Sequence, residues 1–383
     1  MDKIIKKRGK NLSEKIKPEK IKPQTYKDEE IKHYLNKRIQ SFRIIPQSNS
    51  DTKCIKTNDK RLTVYDENIY LNNYLDFGGS SIVFLAIDNE SNNYILKFMK
   101  ESQNEISIMI LVTNYVKRQI TPHFVILYSN LLCSNITDSD IEGTEYDTNF
   151  KDKLLSVRDY LYNDKYSLLI MEYFDGNMVS LFGNVKQIHN SDNIMKAFYA
   201  QMYIAVLTFH KVIGYYHCDV RDKNYFYKKV SHTDIDYFLY NIFGKNIYVK
   251  NVGYLIVLGD YGISKKIIMS EHDMEKKCIS DYLHLWRIYG LAKIDFNQLN
   301  KKNTEVDYFN YIIENTHNIF YTDENLPSSS IIINESPYII PNSYIELAST
   351  RASTRASTRA STRASTRASM EMKIGGCKNK KTK

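Results

Sequence analysis

An α+β protein, with a strand-rich part followed by a helical part and a cleft between them, is the fold that three features of the chain predict. From about Tyr70 to Met99 the runs TVYDENIYL, SSIVFLAID and NYILKFM are β-branched or aromatic and are separated by Asp, Asn and Gly turns, which reads as a sheet. From Asn193 to Lys211, Ile194, Phe198, Met202, Ala205 and Phe209 recur at spacings of three and four, which predicts a long buried helix. The apolar run Tyr254–Leu258 then ends in Gly259-Asp260-Tyr261-Gly262, a carboxylate on a tight turn at a strand end. Strands first and helices later favour two segregated lobes.

The ends of the chain differ from its body. The net charge is +9, but residues 1–43 carry +8 and residues 348–383 carry +9, leaving −8 on residues 44–347. Nucleic acid is therefore not the expected partner of the body, and weak, salt-sensitive attraction to polyanions is expected of the tails. Residues 1–60 are expected to form a basic flexible arm, because EKIKP occurs twice in succession and its prolines interrupt any helix. From Ala348 the tetrapeptide Ala-Ser-Thr-Arg runs five times to Arg367, so residues 348–383 are expected to be a disordered basic tail. Its hydroxyls beside arginines also suit phosphorylation.

Hydrophobic residues at 43% and charged residues at 25% exclude a fibrous or wholly disordered chain. No stretch is apolar for long enough to span a membrane, and MDKIIKKRGK lacks the apolar segment of a secretory signal, so an intracellular location is expected. Five scattered cysteines without a CxxC pair suggest neither a zinc site nor a disulfide framework, which fits a reducing compartment.

The densest chemistry is Tyr216-His217-Cys218-Asp219-Val220-Arg221-Asp222-Lys223-Asn224, which has the spacing H-x-D-x-x-x-x-N. Phosphoryl transfer needs a carboxylate to orient the attacking hydroxyl, oxygen ligands for Mg²⁺ and a cation on the nucleotide phosphates. Asp219 suits the first role, and Asn224 with Asp260 suits the second. Lys97, between Leu96 and Phe98 on a predicted strand, suits the third and needs a partner, for which Glu105 is the candidate. Upstream, Asp76-Phe77-Gly78-Gly79-Ser80-Ser81-Ile82-Val83 places Gly78 and Gly79 on a turn whose backbone N–H groups could approach phosphate. An ordinary hairpin turn is the alternative for that pair alone.

In this order the motifs resemble the protein kinase superfamily over roughly Leu75 to Tyr289: a glycine loop, a strand lysine, a helix glutamate, H-R-D-x-x-x-x-N and D-F-G. The resemblance implies a bilobal protein-kinase-like fold, with a small β-rich lobe over residues 61–172 and a larger, mainly helical lobe over 173–347. It implies ATP and Mg²⁺ as cofactors and a protein as acceptor. Ser167-Leu-Leu-Ile-Met-Glu-Tyr-Phe-Asp-Gly176 resembles the hinge, with Met171 as gatekeeper and the backbone from Glu172 to Phe174 holding adenine; Val83 belongs to the same nucleotide site. Arg221 stands where Ser/Thr-specific members have lysine, and Asp281 resembles the aspartate that anchors the catalytic loop.

The departures are specific. Asp76 and Ser81 replace two loop glycines, and Cys218 replaces the arginine of H-R-D. Glu105 follows Lys97 by only eight residues, so its helix must start early for an ion pair to form. Residues 228–253 form an insertion, and Asp281 follows Asp260 by only 21 residues. The composition, Pro122-His123-Phe124 and the insertion resemble divergent Ser/Thr-kinase-like proteins of large DNA viruses, which implies a host cytoplasm or virion. A Ser/Thr protein kinase is the leading reading. The alternatives are a small-molecule kinase of the aminoglycoside or choline type and a pseudokinase scaffold.

Overall fold

The computed structural model describes residues 31–40, 53–58, 60–64, 69–78, 81–100, 102–161, 165–184, 192–267, 280–285, 304–315, 319–334 and 336–341. Gly79 and the 348–383 tail lie outside them.

The first lobe is a seven-stranded sheet. Its strands are β1 (Ile55–Asn58), β2 (Arg61–Val64), β3 (Ile69–Gly78), β4 (Ser81–Asp88), β5 (Asn93–Met99), β6 (Leu127–Ser134) and β7 (Lys165–Glu172), in the order β1-β2-β3-β4-β5-β7-β6. All neighbours are antiparallel. Leu62, Val64, Phe84, Leu96, Phe98, Leu131, Leu168 and Ile170 point to one side and form an apolar cluster with Phe150 and Leu154 of α4 (Thr148–Leu161). The apolar alternation along these strands is therefore a packing pattern, and it fixes the register.

Two expectations fail in this lobe. Cys54 and Cys133 are joined in a disulfide across 79 residues, which the scattered cysteine spacing did not suggest. Cys54 precedes β1 and Cys133 lies in β6, the two edges of the sheet, so the bond closes a curled sheet on itself. Such contact between distant edges is a product of curvature, which cysteine spacing does not report. Second, the segment expected to be a flexible arm contains a helix, α1 (Ile31–Gln40), besides β1. Ile31, Tyr34 and Arg38, at spacings of three and four, are buried while Lys32, His33, Asn36 and Lys37 remain outside. Packing of that narrow stripe stabilises a helix too short to persist alone.

The larger lobe centres on α6 (Asp192–Thr208), whose residues Phe198, Tyr199, Met202, Tyr203 and Ala205 are fully buried. Its last turn widens into a π-helix, Phe209–Ile213, and Gly214 ends it at φ 81°, donating its N–H to the Phe209 carbonyl. A left-handed cap of this kind favours glycine. The predicted helix over 193–211 is thus present with a changed last turn.

After α6 come β9 (Tyr215–Tyr216), β10 (Tyr225–Lys229), β11 (Asp236–Ile242), β12 (Lys245–Lys250), β13 (Tyr254–Leu258) and β14 (Lys265–Lys266). Strand β10 lies between β13 and β8 (Gly176–Asn177). Most of the 228–253 insertion is the β11–β12 hairpin, which also pairs in parallel with β15 (Ile331–Ile332) and β16 (Tyr338–Ile340). The insertion is therefore tied into the lobe by the chain's later segment. The fold is α+β, with the β-rich lobe first.

Candidate active site

The candidate site lies where β5, the helix α2 (Gln103–Lys117), the loop 217–224 and the end of β13 meet. Ser102 caps α2 by accepting a hydrogen bond from the Glu105 backbone N–H, so the helix begins two residues before Glu105. That early start answers the short spacing. Lys97 Nζ donates to Glu105 Oε1 at 2.6 Å and to Asp260 Oδ1 at 3.3 Å. Burial works against the Lys97 charge, but the two carboxylates hold its pKa above the ordinary lysine value. Burial likewise disfavours ionised Asp260, and Lys97 overrides it and lowers that pKa.

Register ties this cluster to the neighbouring strands: Val83 of β4 is paired directly with Lys97, and Gly78 of β3 pairs with Ser81 of β4. Met171, half-buried, is flanked by Ile95 on one side and Leu127 on the other.

The loop 217–224 is held from both ends. Asn224 Nδ2 donates to the Asp219 carbonyl at 2.8 Å and to Asp219 Oδ2 at 2.9 Å, and Arg221 donates to the same carboxylate oxygen at 2.5 Å. The Gly259 N–H donates to the Asn224 carbonyl at 3.0 Å, which brings Asp260 beside Asn224. Gly259 has no room for a side chain, since a Cβ there would lie 2.9 Å from atoms of Phe226 and Val125. Lys97, Glu105 and Asp260 therefore form one cluster, Asp219, Arg221 and Asn224 a second, and the Gly259–Asn224 bond joins them.

Asp281, in the helical residues 280–285, accepts hydrogen bonds from the His217 and Cys218 backbone N–H groups at 2.8 and 3.0 Å. It fixes the loop where Cys218, at φ 63°, takes a left-handed conformation. His217 is buried, and burial lowers its pKa. Its Nε2 lies 3.0 Å from the Gly259 carbonyl, so it braces the loop. Asp260 is also left-handed, at φ 61°. Tyr261 is fully buried, stacks on Phe209 with ring centroids 5.3 Å apart, and donates to the Leu258 carbonyl.

At the hinge the backbone is partly committed. The Glu172 N–H donates to the Ile126 carbonyl at 3.0 Å, so that group is not free for adenine. The Glu172 carboxylate is buried and bound by Tyr34 and Arg38 of α1. Phe174 stacks on Phe226 of β10, centroids 5.9 Å apart, giving an aromatic surface between hinge and loop. Sequence reasoning missed Phe226. The one available signal was its position two residues past Asn224, at the start of the next strand.

Asp260 and Asn224 suit a hard cation. Asn224 spends its amide nitrogen on Asp219, which leaves its oxygen to offer, and the Asp260 side chain is 43% exposed. Among the described residues no group of three or more His, Cys, Asp or Glu side chains could hold a metal ion by itself. Two protein oxygens with the remainder from phosphates and water is a common arrangement for Mg²⁺. Among the described residues no helix is long and apolar enough to cross a membrane.

No family model matches the chain. It is 27% identical over 246 residues to the probable serine/threonine-protein kinase 380R of Invertebrate iridescent virus 6. That match takes in 62% of this chain and 42% of the relative, so the chain spans about two fifths of the viral protein's length. The crystal structure of the BubR1 kinase domain superposes with a TM-score of 0.42 at 12% identity, over 67% of this chain and 73% of that one. The order of the motifs along the sequence resembles that of protein kinases, and the chain is similar to this viral relative.

Proposed function

We propose that the chain is an ATP- and Mg²⁺-dependent phosphotransferase that moves the γ-phosphoryl group to a Ser or Thr hydroxyl of a protein. One observation carries the reading: the Lys97–Glu105–Asp260 cluster, in which Lys97 and Glu105 lie more than a hundred residues before Asp219, meets the Asp219–Arg221–Asn224 cluster through the Gly259–Asn224 bond. Catalysis of this kind is mostly positioning and electrostatics. Lys97, oriented by Glu105, is placed to bind nucleotide phosphate. Bound Mg²⁺, held by Asp260 and Asn224, would neutralise the charge that develops on the phosphates.

Asp219 accepts the hydrogen of the attacking hydroxyl and orients it. Arg221 is half exposed and at present bridges to Asp219, close enough to exchange that partner for the γ-phosphate. Gly78 and Gly79 shape the phosphate turn, Val83 covers the base from the β-rich lobe, and Phe226 supports it from below. Met171 limits the pocket's depth, and the hinge groups as far as Phe174 contact adenine. The name of the viral relative supports a Ser/Thr acceptor.

The test is transfer of radiolabelled γ-phosphate in the presence of magnesium, with proteins, sugars and amines offered side by side and label mapped onto the Ala-Ser-Thr-Arg array. Label on protein Ser or Thr is expected. Label on sugars or amines alone would establish a small-molecule kinase, and nucleotide bound without any transfer would establish a scaffold.

A further inference from the structure

Arg38 is buried, with 3% of its surface exposed, and lies far in sequence from the groups its guanidinium hydrogen-bonds. Its guanidinium donates to both Glu172 carboxylate oxygens, from Nε at 2.8 Å and Nη2 at 3.0 Å. It also donates to the Pro122 carbonyl at 2.6 Å and the Phe124 carbonyl at 2.7 Å. Tyr34, one helical turn earlier, adds a bond from its hydroxyl to Glu172 Oε1 at 2.7 Å. A planar fork with several fixed donors can hold a carboxylate and two carbonyls in one geometry, and a lysine cannot.

What Arg38 joins gives it meaning. On one side is Glu172, the first residue of the hinge. On the other is the segment 122–126, which runs against the end of β13: Leu258 donates to the His123 carbonyl at 2.8 Å and Val125 donates to the Leu258 carbonyl at 3.3 Å. Two residues after Leu258 comes Asp260. The Glu172 N–H closes the circuit by donating to the Ile126 carbonyl. The base side and the phosphate side of the cleft are thus both registered on 122–126, and the α1 guanidinium is the group that grips hinge and segment together.

We propose that α1 is an intrachain positioning element of the nucleotide site, and that Arg38 is a positioning residue acting through Glu172 and the 122–126 segment on the spacing between hinge and Asp260. This rests on the phosphotransferase reading. Arg38 itself is buried against Glu172, Pro122 and Phe124 and belongs to neither the Lys97–Glu105–Asp260 nor the Asp219–Arg221–Asn224 cluster. The chain ahead of the β-rich lobe is, on this view, required for productive nucleotide binding, which the reading of residues 1–60 as a free arm does not contain.

The test uses the full chain and three variants. Arg38→Lys keeps the charge and loses the fork. Arg38→Ala leaves the Glu172 carboxylate buried and alone, and can fail to fold for that reason. Arg38→Met with Glu172→Gln removes both buried charges and keeps the volume, so a folded protein is expected. In that double variant and in Arg38→Lys, the KM for ATP should rise about tenfold or more while the KM for the acceptor stays put, because displacement by an ångström can cost about a hundredfold. Amide hydrogen exchange, which needs no nucleotide, should speed up at Glu172, Val125 and Leu258 together.

A folded double variant with unchanged exchange at those three amides would overturn the clamp whatever the activity. Unchanged KM for ATP in that variant would overturn its role in the site. Wild-type protein that neither binds nor turns over ATP would instead remove the phosphotransferase reading, leaving the exchange result to decide the clamp by itself.

Discussion

Two buried groups of acids and bases flank the loop 217–224 and differ in their access to water. In the first, Lys97 bridges Glu105 and Asp260, and the Asp260 side chain is 43% exposed. In the second, His210 lies between Asp281 and Glu305, Lys211 also binds Glu305, and no side chain is more than 10% exposed. Both His210 nitrogens face carboxylate oxygens, at 2.9 and 3.0 Å. A neutral imidazole has a single N–H and could donate to only one of them, so the geometry suits the doubly protonated ring. The contrast teaches a division of labour. An open cluster with a solvent-facing carboxylate can exchange partners during a reaction, whereas a sealed one can only hold the loop that Asp281 grips.

The largest effect should come from the open side. Asp219→Asn keeps the shape and the bonds to Asn224 while removing the carboxylate, and should lower transfer by about two to four orders of magnitude without moving the melting temperature. Steady-state rates beside thermal denaturation check it. If rate and stability fell together, the open and sealed regions would not be separable in the way described.

On the sealed side the order is reversed. Glu305→Ala leaves two buried cations, His210 and Lys211, with their shared carboxylate gone, and should cost about 3–5 kcal/mol of stability. Denaturant unfolding measures that loss, and the molecules that remain folded should keep most of their turnover. A stable Glu305→Ala protein with a collapsed rate would assign the sealed cluster to chemistry.

Acid titration sharpens the same comparison. Burial raises the Glu305 pKa, but His210 and Lys211 outweigh it and bring the carboxyl down from 4.5 to about 2. A depressed carboxyl contributes stability that is complete above its unfolded pKa and is lost as pH falls through the folded one, so the loss runs from about pH 4.5 to 2 and is on the order of 3 kcal/mol. His123 acts earlier. Burial pushes its pKa down from 6.5 to about 4, so its contribution declines as pH falls from 6.5 to 4, where the unfolded chain takes up a proton and the native state does not. Its Nδ1 lies 2.7 Å from the Ile256 carbonyl, which can only accept, so Nδ1 carries the hydrogen and Nε2 accepts from Tyr240. Unfolding free energy against pH should therefore fall in two stages, and Glu305→Gln should remove only the lower one.

How far the sequence reached follows from the range of each interaction. Lys97 on its strand, the long helix and the Asp219–Asn224 loop were legible because each is a pattern within a few residues, where period and turn chemistry act. Asp281 was legible through resemblance alone. Its grip on His217 and Cys218 spans more than sixty residues, and no periodicity reports it. Arg38 with Glu172 and Cys54 with Cys133 were missed for the same reason: each pair forms because a curved sheet or a hinge brings distant chain together. Helix α1 was hidden further by its charge, since IKHYLNKRIQ carries Lys32, Lys37 and Arg38 and its buried face includes the arginine. The π-turn at Phe209–Ile213 had no signal in helical spacing, yet it is what turns both His210 and Lys211 toward Glu305.

The smallest effect tests how rigidly the sealed cluster is built. Tyr282, beside Asp281, donates its hydroxyl to Glu305 Oε1 at 2.8 Å, and His210 Nδ1 reaches the same oxygen. Tyr282→Phe deletes one donor and keeps the ring, which packs 5.1 Å from His210 and 4.9 Å from Tyr308. Glu305 retains His210 and Lys211, so its charge stays paired, and only one hydrogen bond to an ionised group is lost. That should cost about 1–2 kcal/mol, well below Glu305→Ala. Urea unfolding should show a lower midpoint at unchanged slope, because the surface exposed on unfolding is the same. A loss as large as that of Glu305→Ala would mean that the tyrosine hydroxyl, rather than the two cations, fixes the carboxylate, and the contrast between an adaptable cluster and a rigid one would then rest on hydrogen-bond geometry instead of charge.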